Sequence, residues 1–260
     1  MIVHATQDVP SCADTEVAIF DGWSKRSAAA WPSIGTMGGG SDHVGFLCLA
    51  GVPCMGIGGG GSPGTSYHTN YDTLAWYRKV VGEDYAPAAM ITRAVTTILA
   101  RLANADVPPV DAADVLEETA HHLQDLEPLA ARMGRADAVR GALIRVQAGL
   151  ANATAARSSL AEVMERGGYD RSALTGAMRA VDRVWLGDGL PDRPWYRSRF
   201  IAPDRDSGYA SWPLPELRAA VEDGDGAAFD AAMERLNQTL DQLELVQSAV
   251  IREVTAPRTP

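Results

Sequence analysis

Apolar residues recur at spacings of three and four along most of the chain after residue 74, which is the pattern of one buried helix face. Over 85–105 this stripe consists of Met90, Ile91, Val95, Ile98, Leu99 and Leu102. The same spacing predicts further helices over 74–82, 111–134, 135–166 and 170–186, and a last helix that begins near Gly226. Asp111 is suited to cap its helix, and Gly167 with Gly168 to end the helix before them.

The first 75 residues follow a different pattern, rich in glycine and irregular in hydrophobicity. "VGFLCLAG" at 44–51 predicts a short buried helix, whereas "VPCMGIG" at 52–58 and the first seven residues predict buried strands. Short elements joined by glycines indicate an α/β layer. The prolines of "DVPPVD" at 106–111 then interrupt the helical pattern. We therefore predict a partial α/β domain over 1–107, followed by an all-α helical bundle over 111–256.

Two features of the second part bear on function. The connection over 188–215 is rich in Pro, Gly and Asp, and a connection of this length inside a helical domain is often functional. In the last helix, apolar residues recur from Phe229 to Val250 and predict a bundle seam. Such a seam can serve the bundle itself or an association between copies, and the pattern alone leaves both open.

Composition narrows the class of protein. Hydrophobic residues make up 46% of the 260 and charged residues 22%, which is ordinary for a globular domain. The net charge is -10 and neither half is basic, so no nucleic-acid partner is expected. No apolar run is long enough for a membrane span, and the start lacks the features of a signal peptide, so a cytoplasmic location is expected. Three cysteines without a CxxC motif predict buried free thiols.

Two glycine-rich motifs can each be explained by a structural role or by a ligand-binding role. "GIGGGG" at 56–61 matches GxGxxG, but Ser62-Pro63-Gly64 follows where a dinucleotide site needs a helix, so a flexible loop near a cleft is favoured. In "GGGSDHVGF" at 38–46, Ser41 or Asp42 is expected to cap a helix. The open amides there also suit an anion.

The segment "GTSYHTNYDT" at 64–73 places His68 between two aromatic residues. A single histidine is more often a structural residue than a metal ligand, because a zinc site needs three or four ligands. The chemistry of the segment alone therefore leaves both interpretations open.

Three segments together resemble the glutamate carboxypeptidase / transferrin receptor family. They are "WSKRSAAAWPSIGTMGGGSDHVGFLCLAGVPCMGI", "YHTNYDT" and "LPDRPWYRSRFIAP", and the last is long and specific. Their order and spacing agree with the family, and the resemblance covers nearly the whole chain. It implies a zinc-exopeptidase α/β domain followed by a helical homodimerisation domain.

The resemblance also implies roles for individual residues. In the peptidases of the family two zinc ions are held by five ligands, and His68 matches the final histidine ligand. Tyr67 matches the neighbouring tyrosine that meets the tetrahedral intermediate, and Gly40, Ser41 and Tyr209 match substrate-binding positions. Gly208 stands where acidic-dipeptide-cleaving members carry a lysine for the substrate carboxylate. A parent enzyme of this kind is therefore not expected to prefer acidic peptides strongly.

The remaining ligands and the general base that the family uses have no counterpart upstream of His68. Those 67 residues contain a single glutamate, Glu16, and no His-x-Asp. One imidazole cannot hold two zinc ions. We therefore expect the C-terminal portion of a zinc-dependent metallopeptidase, truncated inside its catalytic domain and inactive alone, with a peptide substrate only in a full-length parent. The alternative is a non-catalytic dimerisation or interaction protein of the transferrin receptor-like type.

Overall fold

The structure, a computed structural model, describes residues 2–27, 31–32, 34–59, 66–110, 112–167 and 169–255. Its helices are α1 (Ile2–Ala5), α2 (Ile19–Ser27), a π-helix (Gly45–Leu49), α3 (Leu74–Val81), α4 (Ala86–Ala103), α5 (Ala112–Ala131), α6 (Ala136–Arg166), α7 (Arg171–Arg183), α8 (Pro215–Asp223) and α9 (Gly226–Thr255). Its strands are β1 (Ile201–Pro203) and β2 (Ser211–Pro213). The described chain is therefore mostly helical.

The helices predicted from hydrophobic spacing are confirmed, with ends that differ by a few residues. The short helix predicted over 44–51 is also found, as the π-helix. Gly167 ends α6 with a positive φ of 70°, as a glycine at a helix end commonly does. The predicted roles of Asp111 and Gly168 fall outside the described residues. The sequence pattern does not predict α2 or α8, which are both short.

Both strands predicted in the first part are wrong. Residues 2–5 form α1, and residues 52–58 have no regular secondary structure. Val52 and Pro53 are exposed, and Pro53 has no N–H to donate to a neighbouring strand. Within the described residues before α4, strand-like pairing is limited to the single bridge between Pro10 and Ala18. The predicted α/β layer is therefore not shown.

The chain divides into two compact units. One contains Met1–Gly35 and Met55–Ala105, and the other contains Thr36–Cys54 and Asp106–Pro260. The glycine-rich segment that contains Gly40 and Ser41 thus groups with the helical second part of the chain. The site residues implied by the resemblance are divided between the two units.

The first unit has a small core in which α1 contacts α4. Its buried apolar residues are Val3, Ala5, Val9, Ala94 and Ile98. Helix α3 buries none of its residues within the described chain, although Leu74, Trp76, Val80 and Val81 are large and apolar. A helix with such a face ordinarily packs it against another element. These side chains of α3 are therefore uncovered within the described residues.

The second unit is a helical bundle around α9. Helix α9 packs against α6, α7 and α8, and α5 packs along α6. Phe229, Leu236 and Leu243 on the inner face of α9 are buried in one cluster with Leu123 of α5 and Val146 of α6. Burial of such a side chain contributes about 1.5–3 kcal/mol. The seam predicted in the last helix is therefore used inside the bundle.

The connection over 188–215, predicted as a loop, contains an antiparallel hairpin. Strands β1 and β2 pair Ile201 with Pro213 and Pro203 with Ser211. The half-buried carboxylate of Glu216 binds Arg199 at 3.4 Å and Arg235 of α9 at 2.5 Å. Arg199 also donates to Thr239 Oγ1 at 3.0 Å. These contacts hold the hairpin against α9, so the bundle fixes the loop that joins the two strands.

Asp182, in the last turn of α7, is an unfavourably placed carboxylate. Its Oδ2 is buried with no hydrogen-bond partner among the described residues. Burial raises the pKa of Asp182 from 3.8 to about 6. Between these two pH values the unfolded chain has lost the proton while the folded chain keeps it. The free energy of unfolding consequently falls as the pH rises through this window.

We expect Asp182→Asn to raise the free energy of unfolding at neutral pH by about 1–2 kcal/mol, after discounting for partial exposure. Near pH ~3.5, where the carboxyl is protonated in both states, the gain should largely vanish. Urea denaturation at the two pH values measures the difference. Glu165→Gln on exposed α6 surface removes the same charge and serves as the control. An equal gain at both pH values would contradict the burial argument.

Candidate functional site

Tyr67 and His68 lie in a turn that leads into α3. The Thr69 amide donates to the Ser66 carbonyl at 3.1 Å, and the Asp72 amide to the Thr69 carbonyl at 3.1 Å. Thr73 then caps α3, because its Oγ1 accepts from the Trp76 amide at 3.2 Å. The polar residues of "YHTNYDT" thus form turns and a helix cap. The segment is therefore locally ordered by its own hydrogen bonds, and His68 lies in its short loop.

His68 has an uncommon backbone conformation for a residue with a side chain. Its φ is 58°, in the left-handed region, where non-glycine residues are uncommon and carry strain. Its imidazole stacks on the Tyr67 ring, with centroids 3.7 Å apart and planes at 21°. Both side chains are exposed. The turn therefore presents the two rings together at the surface of the first unit.

The donor set around His68 does not fit a zinc centre within the described residues. No group of three or more His, Cys, Asp or Glu side chains is arranged there to hold a metal ion. A structural or catalytic zinc needs at least three protein ligands. The role of His68 as a ligand stays a prediction from the resemblance. The described part of the chain does not provide the rest of the centre.

Gly38, Gly39 and Gly40 lie directly against a loop of the second unit, residues 204–210, which joins β1 to β2. The Gly39 amide donates to the Tyr209 carbonyl at 2.8 Å. A Cβ at Gly38 would come within 2.0 Å of the Tyr209 carbonyl oxygen, and one at Gly39 within 1.9 Å of the Gly208 oxygen. Backbone meets backbone here, so only glycine fits.

Gly40 contacts the ring of Tyr209. Its φ is +83°, and a Cβ added there would fall 2.7 Å from Tyr209 Cε1. Gly40 and Tyr209 are far apart in the sequence, yet the fold brings together these two predicted substrate-binding residues. Ser41 follows at once along the chain and is exposed. Three of the five predicted site residues, Gly40, Ser41 and Tyr209, thus lie at this contact or next to it along the chain.

The start of the π-helix differs from the prediction. Val44 occupies the N-cap position and makes no side-chain hydrogen bond there, so the predicted cap by Ser41 or Asp42 is wrong. The backbone carbonyls of Ser41 and Asp42 accept instead from the Val44 and Gly45 amides, each at 3.3 Å. Ser41 is therefore not held by helix capping.

The π-helix is tied to the connection that precedes β1. The Cys48 carbonyl accepts from the Arg197 amide at 2.8 Å and the Ser198 amide at 3.0 Å. The buried Cys48 thiol contacts the Ile201 carbonyl oxygen at 3.6 Å, and burial raises the pKa of this thiol to about 11. Cys48 is thus a packing residue with little thiolate. All three cysteines are free as predicted, although Cys12 is exposed.

Sequence reasoning missed Asp204, which organises the 204–210 loop. Its Oδ1 accepts from the Asp206 and Ser207 amides, and its Oδ2 from the Tyr209 and Ala210 amides and the Ser207 hydroxyl. These hydrogen bonds hold the pKa of Asp204 well below its usual range. An aspartate shortly before Ser and Gly is a typical turn signal. That signal in "DRDSGYA" was available in the sequence.

Comparison with known proteins agrees with this organisation. Residues 136–246 match the family model for the transferrin receptor-like dimerisation domain. A probable glutamate carboxypeptidase of Arthroderma benhamiae is 22% identical over 236 residues, which cover 86% of this chain and 32% of that protein. The probable glutamate carboxypeptidase LAMP1 of Arabidopsis thaliana is 25% identical over 243 residues, covering 92% and 34%. The aminopeptidase NAALADL1 of Mus musculus is 25% identical over 176 residues, covering 62% and 23%.

These matches confirm the resemblance predicted from the motifs: residues 136–246 are similar to the transferrin receptor-like dimerisation domain, and the chain is similar to glutamate carboxypeptidases and an aminopeptidase. The chain spans about a third of the length of the first two relatives. In the part of the chain that the structure describes, none of the helices combines the length and apolar character that a membrane crossing requires.

We expect Gly39→Ala to disrupt the wall formed by Gly38–Gly40 and the 204–210 loop, because the new methyl would overlap the Gly208 carbonyl oxygen. The free energy of unfolding should fall by about 1–3 kcal/mol, the usual cost of forcing atoms into a packed site. Thermal or urea unfolding measures it. Gly45→Ala is the matched control, since a Cβ there meets nothing within 4 Å. Equal effects of the two substitutions would contradict the backbone contact.

Proposed function

We propose that this chain supplies the C-terminal part of a zinc-dependent exopeptidase. In this proposal His68 contributes one metal ligand and Tyr67 meets the reacting carbonyl. Gly40, Ser41 and Tyr209 form a wall of the peptide-binding pocket, and the helical domain joins two copies. The supporting relatives are named as glutamate carboxypeptidases and an aminopeptidase.

The contact between Gly40 and Tyr209 is the observation that carries the proposal. The resemblance matches both residues to substrate-binding positions, although they are far apart in the chain. The structure brings them into contact through a glycine packing that tolerates no Cβ.

The uncovered face of α3 gives independent support for a larger assembly. The helix follows directly on the His68 turn and exposes Leu74, Trp76, Val80 and Val81. A run of large apolar side chains on one short helix marks a surface that another polypeptide segment covers. In the proposed enzyme this cover belongs to the remainder of the catalytic domain, which also supplies the other metal ligands.

The 260-residue chain by itself should be inactive. We expect the purified chain, after metal exchange, to hold less than one tightly bound zinc and to release no amino acid from dipeptides, because one imidazole cannot retain the metal. Atomic emission of the dialysed protein and a ninhydrin assay measure the two quantities. His68→Ala is the matched control and should leave the zinc content unchanged. Two retained zinc ions together with turnover would contradict this proposal.

A non-catalytic dimerisation protein is the second candidate. The observation that favours it is that the family match is to the dimerisation domain, residues 136–246, while the described residues hold no metal-binding cluster. The nucleotide sequence upstream of Met1 separates the candidates. An in-frame extension that encodes His-x-Asp and Glu-Glu supports the peptidase, and a stop codon directly behind a ribosome-binding site supports the short protein.

Homodimerisation through the helical domain is part of both candidates. The predicted seam on α9 is buried inside the bundle, so an interface needs other side chains. Ile144 on α6 and Leu245 on α9 are large apolar residues of this domain, exposed to 67% and 69%. Both lie opposite the buried faces of their helices, where a second copy can reach them. They are our candidates for the interface.

We expect a dimer at micromolar concentration by analytical ultracentrifugation. Ile144→Glu and Leu245→Glu should each weaken the dimer about tenfold or more, because a charge would replace apolar area at the interface. Leu99→Glu in the first unit, where Leu99 is 57% exposed, is the matched control and should not change the dissociation constant. A wild-type chain that sediments as a monomer would contradict the dimer. If only Leu99→Glu weakened the dimer, the proposed location of the interface would be wrong.

A further inference from the structure

The side chain of Tyr209 is mostly exposed, yet its backbone is fixed on both sides. Its carbonyl accepts from Gly39 N at 2.8 Å. Its amide donates to both Asp204 Oδ2 and Ser207 Oγ, each at 3.1 Å. Because the two peptide groups that flank Cα are both held, the direction of the Cα–Cβ bond of Tyr209 is held as well, which limits the ring to the positions that its rotamers allow. The ring then lies over Gly40.

The two oxygens of Asp204 hold different halves of the loop. Oδ1 accepts from Asp206 N at 3.0 Å and Ser207 N at 2.7 Å, which forms the first turn. Oδ2 accepts from Ser207 Oγ at 2.5 Å, Tyr209 N at 3.1 Å and Ala210 N at 2.8 Å. The second half of the loop therefore depends on Oδ2, a carboxylate oxygen that accepts hydrogen bonds and cannot donate one. An asparagine in the same rotamer would place an NH₂ group there.

The ends of the loop are anchored independently of this carboxylate. Asp204 N donates to the Ala210 carbonyl at 2.9 Å. Arg205 makes two hydrogen bonds with the Asp223 carboxylate of α8, at 3.0 and 2.7 Å. Paired contacts of this kind fix geometry well. A change at Asp204 should accordingly act on the interior of the loop while its base stays attached to the bundle.

We propose that Asp204 is a positioning residue of the peptide pocket, which holds the 204–210 loop so that Tyr209 lies against Gly40 and faces the substrate. The inference rests on the proposed function, because that function makes Tyr209 a substrate-binding residue. Asp204 touches no substrate in this arrangement. It acts through Tyr209, and it extends the pocket beyond the residues that the motifs identify.

The first test measures amide hydrogen exchange in the whole chain. Asp204→Asn keeps an acceptor for Asp206 N and Ser207 N but loses the one for Tyr209 N and Ala210 N. The amides of Tyr209 and Ala210 should therefore exchange about tenfold faster or more, while those of Asp206 and Ser207 change little. Asp204→Ala should accelerate all four. Asp206→Asn, which removes a charge from the same loop, is the matched control and should leave Tyr209 unchanged.

The second measurement distinguishes positioning from a merely structural role. In the wild type we expect the Tyr209 ring to displace the NMR signals of the Gly40 α protons, because the ring lies close to Gly40. Asp204→Asn should reduce this displacement, with the exchange of the buried amides of α9 unaltered. Should Asp204→Asn leave both the Tyr209 exchange and the Gly40 signals as in the wild type, or should Asp206→Asn reproduce its effects, the proposal is overturned.

Peptide binding separates this inference from the proposed function. Within its described residues the wild-type chain lacks a metal-binding cluster for hydrolysis but contains both residues of this wall, so titration with millimolar Ala-Leu should perturb the amide signals of Gly40 and Tyr209 without cleavage. Asp204→Asn should weaken that response about tenfold. If Ala-Leu leaves the Gly40 and Tyr209 signals of the wild-type chain unchanged, the pocket assignment is contradicted, whatever the exchange data show. A wild-type response that Asp204→Asn leaves unweakened contradicts the positioning role alone.

Discussion

Burial of the inner face of α9 is the constraint on which the second unit depends. This long helix supplies Phe229, Leu236 and Leu243 to the core and contacts α6, α7 and α8. Its polar residues Arg235 and Thr239 bind Glu216 and Arg199, which hold the hairpin. The bundle thus carries an irregular connection in a defined place. A loop of this kind can only bear a site if a rigid scaffold positions it.

On that scaffold the candidate pocket is built mostly from main chain. Three successive glycines allow the segment before the π-helix to touch the loop between β1 and β2, and the Asp204 carboxylate collects the loop amides. Charge-assisted hydrogen bonds of this kind are short and directional. The pocket wall therefore combines a segment that has no side chains with a loop that one side chain organises.

The similarity to peptidases is supported unequally in the two parts of the chain. The helical part carries the family match and a continuous core. The first unit presents one histidine on a strained turn, followed by a helix whose apolar face is uncovered in the described residues. The roles of His68 and Tyr67 therefore stay predictions from the resemblance.

The sequence by itself determined the helices of the second part, because an apolar stripe of period 3.6 is a local signal. Its resemblance to the family also predicted Gly40 and Tyr209 as substrate-binding residues. It misassigned residues 2–5 and 52–58 as strands, because a short apolar run does not reveal whether a neighbouring strand exists. Only the tertiary structure decided that the α9 seam is internal, that Gly38–Gly40 touch the Tyr209 loop and that Asp204 organises it. Those outcomes depend on contacts between segments far apart in the chain, which no local pattern encodes.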